Sequence, residues 1–279
     1  MNMGTSHRLS KSRFLAGLRC QKSLWLECHA PELADPVEET RQALFDQGHQ
    51  VGALARERYA GGVLVSEDHL HSAQALDTTR RLLAEGVRCL YEGAFWHDGV
   101  LVRADILFRQ NDEEWVLLEV KSSTSVKPEH LPDLAVQVYV LRGAGLPVTS
   151  ARLLFMNKDY VYQGGAYDLG ELFVEQDLTQ EVETLLPEIP AHLKVMRQML
   201  AGPLPDVPIG RRCAEPYQCR FFGYCHRSLP EYPVTELPRA SADLLDSLIA
   251  NGYYSLCDVP LEYPGLNDRQ RAVCYLART

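Results

Sequence analysis

Two short apolar runs separated by a polar turn constrain this chain more than any other feature. Residues 101–108 (LVRADILF) and 115–120 (WVLLEV) are rich in apolar and β-branched side chains, and QNDEE between them is typical of a turn. The pattern predicts a β-hairpin. With a turn centred on Asp112, cross-strand pairing places Asp105 opposite Glu119, so that two carboxylates converge.

These two acids need a cation nearby, because carboxylates inside apolar strands repel each other and resist desolvation. Lys121 lies two residues after Glu119 and therefore emerges on the same face of the strand. Oxygen ligands suit Mg²⁺ or Mn²⁺, which acidify a bound water, while Lys121 can orient that water or offset charge on a phosphate. The alternative is a surface salt bridge on an ordinary hairpin.

Asp105 followed by Glu119-Val120-Lys121 resembles the D…E-x-K motif of the PD-(D/E)XK nuclease superfamily. The resemblance implies a restriction-endonuclease-like core in which the acids bind Mg²⁺ or Mn²⁺ and the lysine assists hydrolysis. Gln137, on the helix predicted after this strand, resembles the glutamine of the RecB-like branch and would position lysine, water or substrate. Tyr139 departs from that branch, whose tyrosine follows the glutamine by four residues rather than two.

A helix predicted at residues 38–59 carries a further candidate metal ligand. RecB-like nucleases have a glycine followed four residues later by a metal-binding histidine, whereas here Gly48 is followed by Gly52. His49 lies three residues before Gly52, on nearly the same helical face, and we expect it to reach the metal instead. A structural or solvent-facing histidine is the alternative.

The spacing of the cysteines predicts a second metal centre, separate from the carboxylates. Cys213, Cys219 and Cys225 are separated by five residues each, and Cys20 is our choice as the fourth thiolate. Four thiolates could hold zinc or an iron–sulfur cluster. The set is similar to that of iron–sulfur-stapled nucleases, namely the CRISPR-associated spacer-acquisition exonuclease and AddB-type nuclease domains, which implies a 4Fe–4S cluster fastening the ends of the domain. Those families have a two-residue first gap in the C-terminal set.

Length and composition limit the fold class and the location. With 279 residues, of which 46% are hydrophobic and 23% charged, the chain has an ordinary globular composition. It lacks a membrane-length apolar run and a signal-peptide core, so we expect a cytoplasmic protein without membrane contact. The order of elements predicts an α/β fold, an α+β mixed sheet with helical flanks. We place the nuclease domain at 1–229 and a linker with a small helical accessory unit at 230–279, and the chain could be the N-terminal part of a longer protein.

These features predict a metal-dependent deoxyribonuclease, an exonuclease acting on single-stranded DNA or DNA ends. DNA repair, CRISPR adaptation and mobile-element defence are the open pathways, with protein partners in a repair or adaptation complex. Because the formal net charge is −9, DNA binding requires local basic surfaces, and one candidate is the cluster that begins with Arg8, Lys11 and Arg13. The alternative function is a catalytically inactive iron–sulfur DNA-binding or scaffolding subunit.

Overall fold

A computed structural model describes residues 8–37, 39–111, 114–227 and 229–279. The helices are α1 (Lys11–Arg19), α2 (Gln21–His29), α3 (Glu39–Arg58), α4 (Ser72–Ala84), α5 (His130–Gly143), α6 (Leu169–Leu172), α7 (Thr179–Leu185), α8 (Ile189–Leu200), α9 (Phe222–His226), α10 (Ala242–Ala250) and α11 (Asp268–Leu276). The strands are β1 (Leu9–Ser10), β2 (Val63–Leu64), β3 (Cys89–His97), β4 (Val100–Arg109), β5 (Trp115–Lys121), β6 (Val148–Met156) and β7 (Phe173–Asp177). Within the described ranges, no helix is both long enough and apolar enough to cross a membrane.

All of these strands belong to one mixed sheet with the order β2-β3-β4-β5-β6-β7, and β1 pairs with β4. The pairs β1/β4, β2/β3 and β5/β6 are parallel, whereas β3/β4, β4/β5 and β6/β7 are antiparallel. Helices flank the sheet, so the predicted α/β class with a mixed sheet is confirmed. The parallel pair β5/β6 is joined through α5, the long crossover that parallel neighbours require.

The predicted hairpin consists of β4 and β5, in the expected register. Ile106 pairs with Leu118 and Arg109 with Trp115, which sets Asp105 across from Glu119. The predicted turn centre, Asp112, lies outside the described residues. Alternation along the hairpin then divides the side chains between two faces of the sheet.

One face of the hairpin packs against α3. Val51 and Ala55 of this helix lie in a buried cluster with Tyr91, Ile106 and Leu118. Asp105 and Glu119 alternate with Ile106 and Leu118 and therefore point to the other face, where α5 packs against β3, β4 and β6. Apolar packing on both faces thus holds the strands that carry the acids.

The chain divides into two compact units. The described residues of Met1–Leu15 and Glu38–Gln198 form the first, which contains the whole sheet, and those of Ala16–Val37 and Met199–Thr279 form the second. Within the second unit, residues of 234–274 make a small core of their own around Leu248 and Val259. The functional domains proposed at 1–229 and 230–279 stay a prediction.

Two local sequence patterns predict elements that the structure does not have. Residues 10–26 have a capping serine and helical apolar spacing, which predict one helix through Cys20, but the helix is divided there because Cys20 adopts an extended conformation (φ −161°, ψ 115°) between α1 and α2. Residues 160–163 (YVYQ) have the pattern of a short strand, but they form a loop, and β7 at Phe173–Asp177 pairs with β6 instead. Pairing with a neighbouring strand, which a local pattern does not reveal, decides such short segments.

Candidate functional site

Strand β4 stops pairing with β5 next to Asp105 and pairs with β1 nearer its start. The β4–β5 ladder ends at the pair Ile106 and Leu118, and nearer its start β4 pairs with β1 through Val100 and Leu101. Where the pairing with β5 stops, the Val120 backbone N–H donates a hydrogen bond to Asp105 Oδ2 at 2.8 Å. The carboxylate therefore binds a backbone group at the point where strand pairing stops, and this bond fixes its position beside Glu119.

Glu119 is the centre of the site and is only 2% exposed. Its Oε1 accepts from Lys121 Nζ at 2.6 Å and from Lys11 Nζ at 2.8 Å. Its Oε2 accepts from Gln137 Nε2 at 2.8 Å. Both carboxylate oxygens are therefore paired, which a buried carboxylate requires. The structure thus gathers the predicted residues Glu119, Lys121 and Gln137 into one network.

Asp133 is a member of this network that we did not identify from the sequence. It is 4% exposed on α5, and its Oδ2 accepts from Lys121 Nζ at 2.7 Å. Its Oδ1 lies 3.1 Å from Lys11 Nζ and accepts from Gln137 Nε2 at 3.1 Å. Asp133 and Gln137 are four residues apart, so they share one face of the helix. That spacing, together with the acid's place on an otherwise apolar helix, is the signal that could have revealed it.

Lys11 is the second residue of the network that sequence reasoning did not place. It begins α1 and reaches an acid 108 positions later in the chain. The sequence indicated only that it belongs to a basic N-terminal cluster. No local pattern predicts a contact of this length.

Burial and charge act on the titration of these groups. Burial and the nearby Glu119 raise the pKa of Asp105 to about 7, against the attraction of Lys11 and Lys121. Burial alone would raise the pKa of Glu119, but the two lysines hold it well below its usual range. Burial would lower the pKa of Lys121, yet attraction to Glu119 and Asp133 raises it above its ordinary value. Burial would lower the pKa of Lys11 as well, yet attraction to Glu119 and Asp133 raises it, so both lysines are charged at neutral pH.

The charge of the cluster depends on Asp105. Asp105, Glu119 and Asp133 supply three carboxylates against the two ammonium groups of Lys11 and Lys121, so the cluster is neutral while Asp105 is protonated and has one excess negative charge once Asp105 ionises. Gln137 Oε1 is also buried without a hydrogen-bond partner in the described structure. Oxygen donors, excess negative charge and an unpaired acceptor fit a hydrated divalent cation. Across the described ranges, no three His, Cys, Asp or Glu side chains already form a metal-holding group, and the two ammonium groups lie among these carboxylates.

Glu92 extends the row of acids onto β3. The β3–β4 register, with Tyr91 opposite Ile106, sets Glu92 across from Asp105, and Glu92 has a positive φ of 56°. Its carboxylate lies 3.7 Å from Arg103 Nε and 4.0 Å from Arg56. Glu92 is therefore already paired with two cations, Arg103 and Arg56.

His49 and Tyr139 lie apart from this network. The side chain of His49 is exposed on α3, and no hydrogen bond or ion pair joins it to the acids among the described residues. It precedes the buried Val51 by two residues, which turns its side chain about 200° away around the helix. Its role as a metal ligand stays a prediction. Tyr139 donates to Asp98 Oδ2 at 3.0 Å.

The four predicted cysteine ligands all belong to the second unit. Cys20 caps α2, Cys213 ends a short 3₁₀ turn and Cys225 lies in α9. Burial, opposed by Lys22 and aided by the other three thiols, raises the pKa of the Cys225 thiol to about 11.

Cys219 has the polar surroundings expected of a ligand sulfur. Its Sγ accepts from the Phe221 backbone N–H at 3.5 Å and lies 3.7 Å from Ser23 Oγ. Hydrogen bonds to sulfur are among the means by which proteins tune iron–sulfur clusters. Within the described ranges, however, no three Cys, His, Asp or Glu side chains already form a metal-holding group, so the four-thiolate centre stays a prediction, with iron or zinc as its metal.

No protein-family model matches the chain, and no curated protein matches it significantly. A solved structure described as "Crystal structure of SSO0001" is 12% identical in sequence. The match has a TM-score of 0.33 and covers 70% of this chain and 79% of that chain. A likeness at this level supports no inference about function.

Proposed function

We propose that the first unit is a metal-dependent DNA nuclease of the PD-(D/E)XK superfamily, RecB-like in type, with a restriction-endonuclease-like core. One observation carries the proposal: Lys121 donates to the buried Glu119, and the half-buried Asp105 is held beside this pair by the Val120 backbone N–H, as the motif predicted. Gln137 hydrogen-bonds to Glu119 in the same network. The substrate we propose is single-stranded DNA or a DNA end, cut by an exonuclease.

Asp105 and Glu119 are the residues that would hold Mg²⁺ or Mn²⁺. When bound, the ion supplies Lewis acidity and lowers the pKa of a coordinated water. Lys121, held between Glu119 and Asp133, is placed to orient that water or offset charge on the phosphate. Gln137 fixes the orientation of Glu119 through Nε2 and leaves Oε1 as an acceptor for a water hydrogen.

The test is cleavage of an end-labelled single-stranded oligonucleotide. Purified protein with Mn²⁺ is expected to shorten the oligonucleotide, EDTA to stop the reaction and excess Mn²⁺ to restore it. Glu92→Gln is the matched control, because Glu92 lies across from Asp105 yet is paired with arginines, and this variant is expected to cleave like wild type. Absence of cleavage, or cleavage that EDTA leaves unchanged, would contradict the nuclease proposal.

We also propose that Cys20, Cys213, Cys219 and Cys225 hold a 4Fe–4S cluster, and that the protein is cytoplasmic. Cys219→Ser is expected to lose most of the iron and visible absorbance of anaerobically purified protein. Cys257→Ser is the matched control, because Cys257 also lies in the second unit but donates to Ala277 O, a bond that serine can keep. Stoichiometric zinc without iron in wild type would establish the zinc alternative.

The noncatalytic DNA-binding or scaffolding subunit remains the second candidate. Gly52, at the position where RecB-like nucleases have a histidine, is the observation that favours it. This candidate predicts DNA binding without cleavage in Mn²⁺. Partners in repair, CRISPR adaptation or mobile-element defence are compatible with either function.

A further inference from the structure

A basic groove runs along the first unit beside the carboxylates. It has a volume of about 870 Å³ and lies between residues 8–13, the start of α4 and the strands β3 and β4. Four of its lining residues are cationic, namely Arg8, Lys11, Arg13 and Arg103, and no acid is among the lining residues, although Lys11 and Arg103 are paired with acids beyond the groove. The chain as a whole has 37 acidic against 28 basic residues, so this surface is opposite in sign to the average. A polyanion is the ligand that such a surface attracts.

The groove also contains an accessible aromatic side chain. Trp96 is 37% exposed, and the Arg8 guanidinium lies 5.7 Å from the centre of its ring. The other lining residues include Ala94 and Leu101, which are apolar. Stacking on tryptophan requires a base that is not inside a duplex. Cations beside an aromatic ring therefore favour a single strand over a double helix.

The groove adjoins the candidate active site at Lys11, the residue that the two have in common. Arg103 of the groove lies two residues before Asp105 on β4. Lys11 lines the groove and also donates to Glu119 Oε1 at 2.8 Å. A phosphate that contacts Lys11 from the groove would therefore lie next to the carboxylates.

We propose that this groove holds the single-stranded DNA segment next to the bond that is cut. A base stacks on Trp96, and phosphates contact Arg8 and Lys11. The inference rests on the proposed nuclease function, which it deepens by naming the path of the substrate strand and the residues that grip it.

The test measures binding without hydrolysis. A fluorescein-labelled oligothymidylate is titrated with protein in EDTA, and anisotropy gives the Kd. Trp96→Ala is expected to weaken binding at least about fivefold, because stacking is worth roughly 1–3 kcal/mol per base and 1.4 kcal/mol is tenfold. Trp96→Phe is expected to recover most of the affinity. Tyr162→Ala, which removes an exposed aromatic ring outside the groove, is expected to bind like wild type.

The contribution of the cationic residues of the groove is measured by the salt dependence of binding. Arg8→Ala is expected to reduce the salt slope of log Kd by about 0.7, the value of one phosphate contact on a single strand. Arg80→Ala, which removes an exposed arginine of α4 that is paired with Asp77, is expected to leave the slope unchanged. The two arginine variants together separate a phosphate contact from a general loss of positive charge.

The outcomes separate this inference from the nuclease proposal. Unchanged binding by Trp96→Ala, or absence of binding by wild type, would overturn the groove assignment even if the protein cleaves DNA. Tighter binding of a duplex or of oligouridylate than of oligothymidylate would overturn the choice of single-stranded DNA. Groove-dependent binding without cleavage in Mn²⁺ would support the groove and remove the nuclease function.

Discussion

Replacing Glu119 with glutamine, or Asp105 with asparagine, is expected to lower Mn²⁺-dependent cleavage by about a thousandfold, roughly 4 kcal/mol of transition-state stabilisation. Each change keeps the size of the side chain and removes one negative charge from the proposed metal ligands. Initial rates on the same labelled oligonucleotide, at saturating Mn²⁺, measure the effect. Cleavage by either variant within tenfold of wild type would contradict the assignment of these acids as metal ligands.

Glu119→Gln is also expected to destabilise the first unit, by about 3 kcal/mol, because removing one partner of a buried ion pair strands the other. Lys11 and Lys121 would then share Asp133 as their main partner. Glu175→Gln is the matched control: Glu175 pairs with Arg152 elsewhere in the sheet, so its loss tests sheet stability without touching the site. Thermal unfolding of the three proteins separates the stability effect from the loss of activity.

Asp133→Ala is expected to reduce cleavage by about 10- to 100-fold, the usual cost of losing a residue that orients the groups around a metal. Asp133 acts here as a positioning residue, because its carboxylate holds Lys121, Lys11 and Gln137. The loss is expected in kcat more than in KM, since Lys121 would lose its orientation while Glu119 still holds Lys11 at the groove. Asp133→Asn is expected to recover part of the rate, because its amide oxygen can still accept from Lys121.

Glu183→Gln is the control for Asp133. This substitution removes the ion pair between Glu183 and Arg142. Arg142 lies in the last turn of α5 and Asp133 in its first turn, so kcat and KM are expected to stay unchanged. An equal fall in activity for Asp133→Ala and Glu183→Gln would mean that loosening α5 explains the result. Unchanged kcat for Asp133→Ala would remove the positioning role.

The hairpin could be predicted from the sequence because its signals are local. Alternating apolar residues and a polar turn determine which residues face each other, and the observed register pairs Ile106 with Leu118, the neighbours of Asp105 and Glu119. The helix at residues 38–59 was confirmed as α3 for the same reason, because good helix formers recur along it. Elements whose pattern is contained within a dozen residues are the ones that a sequence predicts well.

The rest of the site depends on contacts between distant segments. Lys11 reaches Glu119 across 108 positions, and Trp96 and Arg8 meet because β1 pairs with β4. Position 160–163 has the apolar residues of a strand, but β6 pairs with Phe173–Asp177 instead. Tertiary pairing selects among segments with similar local preferences, so neither the groove nor the second lysine could be predicted.

Asp105 replaces a strand-pairing hydrogen bond at the place where β4 and β5 separate, because its carboxylate accepts from the Val120 backbone N–H. The same carboxylate is the one we assign to the metal. The carboxylate at position 105 must therefore have both the right length and an acceptor atom. A longer glutamate side chain would extend past the Val120 N–H, and an apolar residue would leave that N–H without a hydrogen-bond partner. A different activity on this scaffold would therefore still need a hydrogen-bond acceptor of this length at position 105.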